Sequence, residues 1–298
     1  FDYILKDEYW GEKSFEKTES KLAKENINKV LQKAQKTPDD INYVLAGDLL
    51  NQCISSSYAI RDSEIPFIGL YGACSTMVES MAVGSMLVDG GFADNILAVT
   101  SSHFCSAERQ FRFPLELGNQ RPPTAQWTVT GSGAAIISTD NIGPKITNVT
   151  IGKIVDMGIK DANNMGAAMA PAAADTIYSH LTETGREPNY YDLIITGDLG
   201  HIGGEIVKEM LYKQGINIKN RYTDCGILIF DKSKQDTHSG GSGCACCGTV
   251  FCGYLYEKLM KKELNRILLV ATGALMSTTA IQQGESICGI AHAISIEN

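Results

Sequence analysis

What the 298-residue sequence lacks narrows its possibilities first. It contains no apolar run approaching the roughly 18 to 20 residues that span a bilayer, and no charged-then-apolar signal segment opens it, so the chain is expected to be soluble. It lacks positive charge: 26 Lys and Arg against 34 Asp and Glu leave a net −8. No global field would draw it onto nucleic acid or an anionic membrane, and any anionic ligand must be met locally. Phosphate-loop motifs are absent, and Gly197, Gly200 and Gly203 do not have dinucleotide-binding spacing. Its nine cysteines are odd in number and scattered over a long chain, which is no disulfide framework and fits a reducing compartment. Cys244, Cys246, Cys247 and Cys252 form one cluster where structural zinc usually takes two, so neither a metal nor a cofactor is expected.

What is present is alternation. Ile27, Val30, Leu31 and Ala34 recur at helical spacing before Pro38, and the apolar run from Ile41 to Ala46 reads as a strand. Val78, Met81, Ala82 and Met86 mark a second helix starting just after Cys74, and Asn95 to Thr100 a second strand. Thr130 to Ser138 is a glycine-led strand. The order then repeats. Pro171 is suited to the first turn of a helix carrying Ala173, Ile177 and Leu181, and Leu193 to Thr196 is the strand that follows. Gly47-Asp48-Leu49 recurs as Gly197-Asp198-Leu199, Asn95 to Val99 matches Arg266 to Val270, and Gly133 to Asp140 matches Gly289 to Glu297. One unit used twice, over residues 1–144 and 145–298, predicts an α/β protein with helices between and outside two mixed sheets. The second half opens with a strand-like stretch from Lys145 to Val155 whose counterpart would precede Phe1, so a further strand is expected upstream.

Cys74 sits between small residues at the head of a helix, where a thiolate is favoured. A small buried hydrophobe is the alternative for the same residue. This duplication, with Gly72-Ala73-Cys74-Ser75, the Thr130 to Ala135 strand entry and the Arg266 to Gly273 segment, resembles the thiolase superfamily, in its ketoacyl synthase III branch. Closer still, Pro122 to Gly131, Tyr190 to His201 and Cys288 to Ser295 resemble the stage V sporulation protein AD family. The resemblance implies a thiolase-like five-layered αβαβα fold of two duplicated halves and a protein of spore formers. It further implies binding of dipicolinic acid, free or calcium-chelated, during its uptake into the spore, peripheral at the inner spore membrane beside other proteins of that transport system. It implies a homodimer too, formed by pairing the Asn95 to Thr100 strand across a two-fold axis.

Condensing enzymes of the superfamily add a histidine and an asparagine to the cysteine. Here those positions fall at Gly197-Asp198 and within Gly240 to Cys244, and neither side chain is kept. A cysteine-dependent acyltransferase with a relocated base, drawn from His103 or His201, is therefore the alternative to a binding protein without catalysis. In the long connection after Thr100, His103, Phe104, Arg109, Arg112 and Trp127 gather cations and aromatics suited to a planar dicarboxylate. Arg109 and Arg112 equally suit surface pairing with Glu108 and Glu116. Asp198 is either an oxygen ligand for calcium entering with the dicarboxylate or a helix cap. The candidate ligand-binding set is thus Cys74, His103, Phe104, Arg109, Arg112, Trp127, Asp198 and His201.

Overall fold

Helix α1 (Phe15–Ala34) begins at Ser14, whose side chain accepts the Lys17 N–H, and ends at Gln35 in the left-handed conformation. Its inward stripe of Ala23, Ile27 and Leu31 packs on Val44, Ala46, Leu97 and Val99. Those last four belong to strands β1 (Tyr43–Gly47) and β3 (Asn95–Ser102) of a four-stranded sheet, which β2 (Phe67–Gly69) and β5 (Gly131–Ser138) complete. The computed structural model describes residues 1–111, 121–140 and 142–298.

The sheet order is β2-β1-β3-β5, with β5 antiparallel to its neighbour. A second sheet runs β6-β11-β10-β7-β8, from β6 (Lys145–Ile151), β7 (Leu193–Thr196), β8 (Tyr222–Asp224), β10 (Arg266–Leu275) and β11 (Cys288–Glu297). β11 is likewise antiparallel to β10. Between the sheets lie α3 (Thr76–Asp89) and α8 (Cys244–Val250), whose Met77, Met81, Ala245 and Val250 share one buried cluster with Ala98, Leu269 and Ile294. α5 (Met165–Thr184) and α6 (Gly200–Lys213) cover the outer face of the second sheet, as α1 and α2 (Ile54–Ile60) cover that of the first. Helix, sheet, helix, sheet, helix gives the five-layered thiolase-like architecture.

Two expectations change in detail. β3 lies between β1 and β5, with both of its edges hydrogen-bonded. Its continuous apolar run reflects a central strand, and it has no edge left for a second copy. Among the described residues the edges of that sheet are β2 and β5, and β2 is the more exposed of the two. Pro171 falls inside α5 rather than in its first turn, because Asn164 caps the helix by accepting the Ala167 N–H and the alanine-rich run starts earlier. Finally, β11 has β6 beyond it, whereas β5 has no further strand among the described residues.

Candidate functional site

Gly72 to Ser75 makes one 3₁₀ turn leading into α3. Ala73 has a φ of 50°, in the left-handed region where a β-carbon is strained by about 1 to 3 kcal/mol. The turn persists because it is tied from several sides. Ser75 Oγ donates to the Gly72 carbonyl and Thr76 Oγ1 to the Ala73 carbonyl, each at 2.7 Å. β10 presses on it from the other half: a β-carbon at Gly273 would stand 2.2 Å from the Gly72 oxygen. Only glycine fits there, and the thiol of Cys74 is thereby fixed at the seam between the halves.

Asp198, immediately after β7, meets that thiol. Its carboxylate accepts Thr272 Oγ1–H at 2.7 Å, Ser242 Oγ–H at 3.0 Å and the Gly243 N–H at 3.0 Å. The Cys74 thiol is in hydrogen-bonding contact with the same carboxylate and stands 3.9 Å from Ser242 Oγ. Ser242 belongs to β9 (Gly241–Ser242), which pairs with β4 (Trp127–Thr128). Asp198 is fully buried, and burial raises its pKa against the pull of four donors. Burial and then the Asp198 charge push the Cys74 thiol well above its ordinary value. The helix-start effect expected to favour a thiolate is outweighed, and Cys74 stays protonated at neutral pH.

Above the thiol opens a narrow cavity continuous with solvent. Leu49, Ala107, Phe111, Met165 and Met276 make its apolar wall, and Tyr71, Thr128, Ser242 and Cys74 are the polar groups that face it. Tyr71, Thr128, Ser242 and Thr272 were not foreseen as site residues. The duplicated pattern pointed toward Ser242 by placing the asparagine position within Gly240 to Cys244, but an apolar wall assembled from four separate segments leaves no local signal.

The structure brings together two of the eight expected residues, Cys74 and Asp198, and places the other described ones elsewhere. His103 directs Nε2 to the Glu8 carbonyl at 2.9 Å, with its ring beside Phe15 and its pKa lowered by burial. Arg109 pairs with Glu16 of α1 rather than with Glu108 or a ligand. Phe104 and Trp127 stack on each other with centroids 4.0 Å apart, and Arg121 covers Trp127 at 4.3 Å. Neither face of Trp127 is left for a ligand ring. His201 lies at the start of α6, its N–H bonded to the Ser239 carbonyl and its side chain outside the cavity lining. Arg112 lies outside the described residues. Short-range clustering in sequence drew these residues together, whereas α4 (Phe104–Phe111) turns the first of them toward α1 and β4 and offers only Ala107 and Phe111 to the cavity.

Known proteins resemble this chain at two levels. The family described as Stage V sporulation protein AD (SpoVAD) matches residues 1–297. Stage V sporulation protein AD of Bacillus subtilis (strain 168) is 48% identical over 297 residues, covering 100% of this chain and 88% of that protein. Among solved structures, a cerulenin-bound OleA of Xanthomonas campestris superposes with a TM-score of 0.64 at 13% identity, over 94% of this chain and 80% of that one. A tetronic acid condensing enzyme gives 0.59 at 18% identity, over 94% and 86%. The 3-oxoacyl-[acyl-carrier-protein] synthase III of Aquifex aeolicus VF5 gives 0.58 at 12% identity, over 94% and 84%. At such identities these structures establish a shared fold.

Proposed function

The chain belongs to the stage V sporulation protein AD family, and from that premise we propose that it is a sporulation protein that binds without catalysing, taking dipicolinic acid, free or calcium-chelated, into the Cys74 cavity for uptake into the developing spore. Asp198 is the observation that carries the reading. A cysteine acyltransferase needs a thiolate, a base and donors aimed at a developing oxyanion. Here a carboxylate stands against the thiol, and the donors that could serve an oxyanion, Gly243 N–H and Ser242 Oγ–H, are turned onto that carboxylate instead. The site keeps the nucleophile's place and disables its chemistry.

A planar aromatic dicarboxylate needs apolar surface for its ring and donors for its oxygens. Phe111, Met165 and Met276 supply the first, and the hydroxyls of Tyr71 and Thr128 supply the second. Calcium chelated by the ligand would bring the positive charge that the described lining lacks. No helix among the described residues is long and apolar enough to cross a membrane, which suits a peripheral place at the inner spore membrane beside membrane partners of the same uptake system. The homodimer belongs to the same proposal, now by way of β2. That strand's outer edge is unpaired, and Phe67 and Ile68 are 38% and 37% exposed on it.

Calorimetry with dipicolinate, with and without calcium, tests the reading on wild type, Thr128→Val and Tyr71→Phe. Each variant should bind roughly three- to ten-fold more weakly, as loss of one neutral hydrogen bond predicts. Absence of heat with wild type under both conditions overturns it. Intact mass after incubation with acyl-CoA tests the condensing alternative, which requires an acyl group on Cys74 that turns over.

A further inference from the structure

The turn that carries Leu49 into α2 is strained. Gln52 and Cys53 follow one another at φ of 59° and 49°, in the left-handed region that a β-carbon resists, and neither is a residue type that enters it readily. Buried Asp48 holds the turn from behind. It accepts the Leu50 N–H at 2.9 Å on one side, and the Ser56 N–H at 2.8 Å with Ser56 Oγ–H at 2.7 Å on the other. Cys53 Sγ–H adds a bond at 3.4 Å to the carbonyl of Leu70, just past β2. Asn51 and Gln52, at the crown of the turn, are exposed.

Gln110 of α4 holds the same turn from the cavity side, with both ends of its amide. Nε2–H donates to the Leu49 carbonyl at 2.9 Å, and Oε1 accepts the Asn51 N–H at 3.1 Å. A side chain thus supplies the donor and the acceptor that a neighbouring strand residue would offer. Leu49 lines the cavity from the turn, and Ala107 and Phe111 line it from α4, so the clasp joins two of the segments that bound it. α4 is the fixed partner: Ser106 Oγ–H donates to Glu19 at 2.7 Å and Arg109 pairs with Glu16, both on α1. Released strain would therefore move the turn before it moved α4. The Leu49 carbonyl also receives Tyr71 Oη–H, at the longer distance of 3.4 Å. A ligand that draws that hydroxyl to itself leaves Leu49 to Gln110.

We propose that Gln110 is a positioning residue of the Cys74 cavity: its amide clasps the strained turn over residues 49–53 to α4 and so fixes the gap between Leu49 and Phe111 that a ligand must fit. Gln110 is not itself part of the lining, so it acts on size selectivity through Leu49. Without the clasp the turn relaxes away from α4, and the cavity admits molecules wider than a single flat ring. The inference rests on the Cys74 cavity being the binding site.

Cysteine labelling tests the clasp with no ligand present, so its failure leaves dipicolinate binding standing, and a failure of dipicolinate to bind leaves the clasp standing. Iodoacetamide and its bulky fluorescein derivative share one chemistry, so their rate ratio at Cys74, read by peptide mass spectrometry, reports the width of the cavity rather than ionisation of the thiol. In Gln110→Met, which keeps the length of the side chain and loses both bonds, the bulky reagent should gain on the small one roughly ten-fold, about three-fold for each neutral hydrogen bond lost. Cys246, fully buried between the sheets, should stay unlabelled and so mark an intact fold. Gln110→Glu supplies a pH profile that a space-filling role would not: ionised, it accepts from Asn51 but cannot donate to Leu49, and protonated, it does both. Hydrogen exchange over residues 49–53, corrected for its intrinsic pH dependence, should match wild type at about pH 4 and run about three-fold faster at about pH 7. A Cys74 ratio unchanged in Gln110→Met, one that rises only together with Cys246 labelling, or a Gln110→Glu exchange difference that ignores pH overturns the proposal. Where a variant fails to fold, wild type decides. Its Asn51 amide must exchange slowly, and free exchange there beside a protected Leu50 amide, held by Asp48, overturns the clasp outright.

Discussion

Replacing Asp198 by asparagine separates what the carboxylate does for stability from what it does to Cys74. The side chain keeps its shape, but only one of its two terminal atoms can still accept. If the carbonyl takes the Oδ2 place, it keeps Ser242 Oγ–H and Gly243 N–H, and the amide nitrogen then faces Thr272 Oγ1, which can rotate and accept. The Cys74 thiol loses its charged neighbour. The charge-assisted bonds, worth about 1.5 to 3 kcal/mol each, fall to the neutral range of about 0.5 to 1.5 kcal/mol. Over three bonds that costs roughly 2 to 4 kcal/mol, offset in part because an ionised group no longer has to be buried. Urea unfolding should therefore show a net loss of about 1 to 3 kcal/mol with an unchanged slope. In the same protein the Cys74 thiol should ionise more readily, since the largest pressure after burial was the Asp198 charge. Iodoacetamide labelling at Cys74, read by mass spectrometry below the wild-type transition, should accelerate by up to about ten-fold for each pKa unit regained. Labelling no faster than wild type, in a folded variant, would refute the claim that Asp198 holds the thiol protonated.

Gly273→Ala places a methyl group against the Gly72 oxygen, so it should cost at least about 2 kcal/mol in urea unfolding and shift the Cys74 turn; a neutral substitution would mean the halves are not pressed together there. Stability should fall as pH rises from about 6.5 to about 8, because Glu19 at about 8 and Asp224 at about 7 hold protons that the unfolded chain, with ordinary carboxyl values, has already lost. Below that window buried His180, lowered to about 4, acts with the opposite sign, so a thermal midpoint that climbs between pH 6.5 and 8 contradicts the buried-proton account. Ile68→Lys on the β2 edge should convert a dimer into a monomer of 32.3 kDa in sedimentation; a wild type already monomeric at micromolar concentration removes β2 as an interface.

The layered fold was legible because it is written in periodicity that local physics enforces. Ala23, Ile27 and Leu31 had to turn to one side of α1, and the matched runs at Asn95 and Arg266 became the equivalent central strands β3 and β10. Cys74 and Asp198 were legible for a related reason, since each stands at a fixed place in the duplicated unit. His103, Arg109 and Trp127 were misplaced because proximity along a connection says nothing about the direction of a side chain. His103 and Arg109 were claimed by the segment before α1 through Glu8 and by α1 through Phe15 and Glu16, partners nearly a hundred residues away. The cavity wall was silent in sequence for the converse reason: Leu49, Phe111, Met165 and Met276 look like any core residue until the two halves meet.

That meeting explains how a fold shared with condensing enzymes can hold a cysteine whose thiol is kept protonated by burial and a neighbouring carboxylate. The nucleophile's turn comes from the first half, and the group that decides its protonation comes from the second, across a contact as close as Gly273 on Gly72. A protonated histidine at the second-half position would stabilise a thiolate; the negative charge of a carboxylate there disfavours one. The change also redirects the neighbouring donors, since Ser242, Gly243 and Thr272 must satisfy a buried charge before they can serve any ligand. A binding site built on such a node gains rigidity from it, because four groups from three segments are fixed around one side chain. What remains available to a ligand are the groups above the node, Tyr71 and Thr128 with the far side of Ser242, and a cavity whose wall is set by α4. In this arrangement selectivity falls to shape and to the few hydroxyls that line the cavity, and the cysteine contributes volume and one protonated sulfur rather than electrons.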